Sequence, residues 1–114
     1  MQNKKYLSML GMARRAGRLS MGHDMAEKSI KAKKAKLLIF AGDISPRLKN
    51  EFYTLSERYY PGLIAVSIDE TISQLHSALG YKAGVITVND ENFAKRIIEL
   101  INTEQNQEEN VYGN

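Results

Sequence analysis

Gly22, His23, Asp24, Lys28 and Lys31 are the residues of this chain best placed to do chemistry. Gly22 stands where a helix would open. A helix N-terminus offers unpaired backbone N–H groups and the positive end of a dipole, which suit a phosphate or the edge of a base. Asp24, Lys28 and Lys31 follow at intervals of four and three, so they share one helix face. The plain account of that face is a surface ion pair between Asp24 and Lys28, worth about a few tenths of a kcal/mol. The functional account is a nucleic-acid contact, in which the carboxylate accepts from base amino groups and the lysines reach phosphates or guanine edges. His23 and Met25 flank Asp24 on the same first turn.

The surrounding charge favours a polyanion. Ten of the first 36 residues are Lys or Arg, Arg14, Arg15 and Arg18 among them, and only Asp24 and Glu27 are acidic. Residues 1–58 carry 13 basic and 5 acidic side chains, and residues 59–114 carry 3 and 8, so the net charge of +3 hides one strongly basic half. That asymmetry implies a basic face rather than a uniformly adhesive surface. Lys33, Lys34 and Lys36 extend the charge past the helix face.

A second candidate is the segment Gly80, Tyr81, Lys82 and Ala83, where an exposed aromatic beside a lysine could pack on an unstacked base. A tyrosine covering the edge of the core is the equal alternative. Asp43, at the carboxyl end of a strand pattern, is read as a capping or turn residue. His76 is read as a half-exposed helix residue. The spacing of Gly11, Gly17 and Gly22 fits neither dinucleotide nor P-loop fingerprints. Two distant histidines and no cysteine give no metal-ligand cluster, and no nucleophile–base or paired-carboxylate arrangement stands out. The expectation is a non-enzyme with no cofactor and no metal.

These residues need elements to hold them. Leu7, Leu10 and Ala13 recur at helical spacing up to Gly17. Arg18 to Met21 is a short connector or strand, and a helix of roughly 11 residues follows Gly22. LLIFAGD, Leu63–Val66 and GVITVN read as buried strands. Ser45-Pro46 reads as an N-cap and first turn. Its helix has Leu48, Phe52, Leu55 and Tyr59 inward. Asp69 is the expected cap of a helix ending at Gly80, and Asp90 that of a last helix through Ile101. Alternating helices and continuous apolar strands argue for an α/β sheet covered on both faces. One domain over residues 1–101 is expected, with a disordered polar tail over 102–114. The absence of cysteine removes disulfides. The expected setting is cytoplasmic, with neither signal peptide nor membrane span.

Four stretches together resemble the kink-turn RNA-binding ribosomal protein superfamily, of the L-seven-Ae and L-thirty-e types, and within it the small bacterial YlxQ-like branch. They are LGMARRAGRL, then GHDMAEK followed by AKLLIFAGDISP, then Leu75–Gly80, then VITVNDENFAK. The resemblance spans about Tyr6 to Ile101. It implies a three-layer α/β/α sandwich with a mixed four-stranded sheet, and Arg18–Met21 as the fourth strand. It implies binding of kinked RNA helices with tandem sheared G·A pairs, through three regions. Gly22, His23, Asp24, Met25 and Lys28 match the helix that enters the groove. Ile44 and Ser45 match a turn, and Gly80, Tyr81, Lys82 and Ala83 match a loop over an extruded nucleotide. Many members carry Asn-Glu where this chain has Asp24-Met25, and a thioether is only a weak acceptor. His76 stands where glycine is usual.

The expectation is a monomeric, ribosomal or ribosome-associated RNA-binding protein, with Lys28 and Lys31 neutralising phosphate, helped by Arg14, Arg15 and Arg18. The alternatives are an RNA-binding appendage or partner of an RNA-modifying enzyme, such as a methyltransferase, and a protein-interaction domain.

Overall fold

Local capping chemistry divides the chain into its elements. The structure, a computed structural model, describes residues 4–113, with side chains described through Gln105. Helix α1 is Lys5–Arg15, strand β1 Leu19–Met21, helix α2 His23–Lys31 and strand β2 Leu37–Phe40. Helix α3 is Pro46–Tyr59, strand β3 Ala65–Ser67, helix α4 Ile72–Leu79, strand β4 Val85–Val88 and helix α5 Glu91–Gly113. Ser45 caps α3 by accepting from the Leu48 N–H at 3.1 Å, with Pro46 in the first turn. Asp90 caps α5 through the Phe93 N–H at 2.8 Å.

Two expected boundaries are corrected. Thr71, not Asp69, caps α4, in a reciprocal capping box with Gln74. Asp69 instead pairs with Lys4 at 3.4 Å. Asp43 does cap a helix, but a distant one: its carboxylate accepts from the Ile72 N–H of α4 at 2.8 Å. The second correction is at β3, expected as a buried strand over Leu63–Val66: it is Ala65–Ser67 and only partly buried, because it lies at the edge of the sheet. At the carboxyl end, α5 continues past residue 101. Its Glu104 accepts from the Lys5 and Tyr6 N–H groups at 2.8 and 3.1 Å, capping α1, which has no side-chain cap of its own. Gln105 accepts from the Asp69 N–H at 3.1 Å. The rest of the expected disordered tail lies outside the residues whose side chains are described.

The strands form one mixed sheet in the order β1-β4-β2-β3. β4 is antiparallel to β1 and β2, and β2 is parallel to β3. Their side chains alternate between two cores. Leu37, Ile39, Ile86 and Val88 pack with α1, α4 and α5 through Tyr6, Leu10, Leu75 and Ile97. Leu38, Phe40 and Val85 pack with α2 and α3 through Ala26, Ile30 and Phe52. The result is the three-layer α/β/α sandwich with a mixed four-stranded sheet. Fully burying Phe40 or Phe52 stabilises the α2–α3 layer by roughly 2–3 kcal/mol each. Among the described residues, no helix is long and apolar enough to cross a membrane.

Candidate nucleic-acid interface

The sheet topology decides which candidate residues meet. β1, β2 and β3 run in one direction and β4 in the other. The carboxyl ends of the first three and the start of β4 therefore share one edge. Gly22 follows β1, Ile44 and Ser45 follow β2, and Tyr81 and Lys82 precede β4, so all three expected regions converge there. Backbone bonds lock them together. The Gly22 N–H donates to the Val85 carbonyl at 2.9 Å, and the Ala41 N–H to the Gly84 carbonyl at 2.9 Å. Gly84 permits the close approach, since a Cβ there would lie 2.7 Å from Ile44 Cγ2.

α2 opens without a side-chain cap. Gly22 uses its own N–H on Val85 and its carbonyl on the Ala26 N–H, at 3.0 Å. The N–H groups of His23, Asp24 and Met25 have no acceptor among the described residues. They form the positive end of the helix dipole. The Asp24 side chain is 98% exposed and Met25 53% exposed. Across this end lies Tyr81, 46% exposed, whose hydroxyl is 3.8 Å from where a Gly22 Cβ would stand. An aromatic ring, three open N–H groups and an exposed carboxylate thus face solvent together.

α2 is aimed by a polar pin beneath it. Asn89, just after β4, accepts from Ser29 Oγ of α2 at 2.6 Å and from Thr87 Oγ1 at 3.0 Å. Its amide donates to Ser20 Oγ of β1 at 2.8 Å. Sequence reasoning missed Asn89, whose only signal was a polar residue closing an apolar strand.

The cations are not equivalent. Lys28 is exposed and has no ion-pair partner among the described residues. The expected pair with Asp24 is not formed. The pair on this face is Lys31 with Glu27 at 2.9 Å, a hydrogen bond that raises the lysine pKa, and Lys31 also lies over the Tyr59 ring at 5.4 Å. Arg14 and Arg15 do not join the Gly22 edge. α1 ends against the start of β1, with the Arg18 N–H on the Ala13 carbonyl at 2.8 Å, which is the opposite edge of the sheet. Ala83 is 4% exposed and belongs to the core, so it supports the loop rather than offering a contact. The Ser45 hydroxyl is occupied by its cap, and Ile44 is half-buried between the two cores.

His23 is held by partners that sequence spacing could not reveal. Its Nε2 lies 2.6 Å from Glu51 of α3, and its Nδ1 3.1 Å from Asp24 and 3.7 Å from Glu27. Phe52 meets the ring edge-on at 5.3 Å. The hydrogen bonds to Glu51 and then Asp24 raise the His23 pKa above its ordinary value. Ligand atoms of His23, Asp24 and Glu27 also lie within 4.8 Å of one another, a cluster the sequence reading did not anticipate. The bond to Glu51 and the carboxylates around Nδ1 account for that cluster as a hydrogen-bonded network around the imidazole.

Known proteins are similar to this chain in sequence and fold. A model of the ribosomal protein L7Ae/L30e/S12e/Gadd45 family matches residues 4–95. The chain is 30% identical over 98 residues to the RNA-binding protein YlxQ of Enterococcus faecium, covering 86% of this chain and 92% of that protein. It is 28% identical over 102 residues to the RNA-binding protein YlxQ of Bacillus subtilis (strain 168), covering 89% and 99%. Among solved structures, a Bacillus halodurans protein of unknown function superposes with a TM-score of 0.77 at 28% identity, covering 88% of this chain and 99% of that one. A 15.5kD RNA binding protein of Giardia lamblia superposes with a TM-score of 0.68 at 18% identity, covering 90% and 92%, and shares the fold.

Proposed function

We propose an RNA-binding function, without catalysis, for this chain, which belongs to the ribosomal protein L7Ae/L30e/S12e/Gadd45 family and to its YlxQ-like branch. The RNA is a kinked helix with sheared G·A pairs, ribosomal or ribosome-associated. One observation carries this reading: the uncapped N-terminus of α2 and the exposed ring of Tyr81 lie side by side on one sheet edge, with Lys28 one turn further along the helix. The open N–H groups of His23, Asp24 and Met25 suit a phosphate or a base edge in a widened groove. Asp24 accepts from exposed base amino groups. Met25 offers an apolar, polarisable surface to a base or ribose. Lys28 reaches phosphate, and Tyr81 packs on an unstacked nucleotide.

The test is a titration of a kink-turn RNA, and of a straight duplex of equal length, against wild type and Lys28→Ala. The kink-turn should bind more tightly than the duplex. Lys28→Ala should weaken binding and lower the salt slope by about one. Equal affinity of both proteins for the kink-turn, or equal affinity of the wild type for both RNAs, would overturn the proposal.

A further inference from the structure

The ends of α1 and α2 are built alike. At the end of α1, the Gly17 N–H bonds the Arg14 carbonyl and the Arg18 N–H bonds the Ala13 carbonyl. At the end of α2, the Lys33 N–H bonds the Ile30 carbonyl and the Lys34 N–H bonds the Ser29 carbonyl. Both are Schellman closures, with a left-handed residue followed by a cation. Asn89 joins them, since its N–H donates to the Arg18 carbonyl at 2.8 Å and its side chain accepts from Ser29 Oγ at 2.6 Å. Arg14, Arg18, Lys33 and Lys34 therefore lie at one edge of the sheet, opposite Gly22, the first two from the α1 layer and the last two from the α2 layer, while the Arg15 guanidinium turns back over Gly11.

Helix-dipole compensation accounts for Arg14 and Arg15, which lie in the last turn of α1. It favours a cation after α2 as well, but does not by itself explain a lysine in the left-handed position. The α1 closure uses glycine in the left-handed position, at φ 73°, whereas the α2 closure uses Lys33 at φ 60°. A left-handed conformation is unfavourable for any residue with a Cβ, and glycine is the usual occupant. A lysine there costs backbone stability and adds an exposed cation to this edge. Of the five cations, Arg18 has a distant acidic neighbour, Asp90 at 4.0 Å. The other four have no ion-pair partner among the described residues.

We propose that this edge is a second RNA-binding surface, which holds the phosphate backbone of a duplex stem continuing from the segment bound at Gly22. The inference rests on the RNA-binding reading above and extends it to a separate face. The nine residues of α2 separate the two edges by about 13.5 Å. That length matches roughly four base-pair steps at about 3.4 Å each. A stem must exceed this reach for the second surface to contribute.

The test uses the full chain and two kink-turn RNAs with the same core, one with a flanking stem of about three base pairs and one of about ten. Wild type should bind the long stem more tightly and with a steeper salt dependence. Arg14→Gln/Lys34→Gln should lose that advantage, its long-stem salt slope falling by roughly 2, while short-stem affinity holds. Lys33→Gly provides the second arm: it should raise Tm by relieving the left-handed lysine, yet weaken long-stem binding about threefold or more. Wild-type binding that ignores stem length, or variants that lose affinity equally for both RNAs, would overturn the second surface alone. Failure of wild type to bind either RNA would overturn the Gly22 reading and this one together.

Discussion

Gly22→Ala isolates the backbone requirement at the start of α2. Gly22 sits at φ 97°, ψ 166°, a region that is essentially glycine-only and costs another residue about 1–3 kcal/mol. The backbone cannot rotate away freely, because its N–H is bonded to Val85 and its carbonyl to Ala26. Losing one of those bonds instead would cost about 1 kcal/mol. Crowding adds little, since the new methyl would meet the Tyr81 hydroxyl at 3.8 Å, an ordinary van der Waals distance. Restricting the unfolded chain returns roughly 0.4–1 kcal/mol. The net loss should be about 1–2 kcal/mol, or a fall in Tm of roughly 5–15 °C for a domain of this size. Urea and thermal unfolding of Gly22→Ala, Tyr81→Ala and the double variant would measure it. If the cost is conformational, the two substitutions should be additive within about 0.5 kcal/mol. Rescue of Gly22→Ala by Tyr81→Ala, or a single-variant loss below about 0.5 kcal/mol, would refute the reasoning.

Gly84→Ala should behave in the opposite way, because its conflict is steric: the added methyl would sit 2.7 Å from Ile44 Cγ2 and 3.2 Å from Ile72 Cδ1. A loss of roughly 1–3 kcal/mol is expected, with a coupling to Ile44→Ala above about 0.5 kcal/mol in a denaturation cycle; strict additivity would contradict it. For His23, bonding to Glu51 and then Asp24 raises the folded-state pKa. The stability from the protonated ring is thus complete below the unfolded value of about 6.5, and is lost as pH rises through the folded value. The positive charge at the α2 N-terminus disappears in the same window, leaving Asp24 and Glu51 without their cationic partner, while Glu27 keeps Lys31. RNA affinity measured by anisotropy over roughly pH 5.5 to 8.5 should therefore fall with pH in wild type and stay flat in His23→Gln, and parallel profiles would dismiss the idea.

Much of the fold is legible because its signals are local. Ser45-Pro46, Asp90 and Gly80 act within one helical turn, and each caps the helix that its spacing indicated. The strand LLIF is a continuous apolar run and VITV is interrupted only by Thr87, because both faces are covered, and they emerge close to their expected bounds. β1 is faint in sequence because it has only three residues, two of them buried, and its partner β4 is remote in the chain. The Thr71 capping box was masked by Asp69, an equally good capping type nearby that Lys4 draws away. The polar composition after residue 101 concealed that Glu104 and Gln105 have long-range acceptor duties, at the start of α1 and at Asp69 past the end of β3.

The candidate site divides along the same line. Sequence alone determined that Gly22 opens a helix, that Asp24, Lys28 and Lys31 share its face, and that the first half of the chain is basic, because periodicity and composition need no partner. Only the tertiary structure decided which charges act together. Opposed strand directions bring Gly22, Ile44 and Tyr81 to one edge, and the twin helix endings carry Arg14, Lys33 and Lys34 to the other. Packing of α2 against α3 then gives His23 its Glu51, and gives Lys31 the Tyr59 ring beside its Glu27. Lys28 keeps no such partner among the described residues. Charge is a property of the residue, but its availability depends on what the fold places within a few ångströms of it.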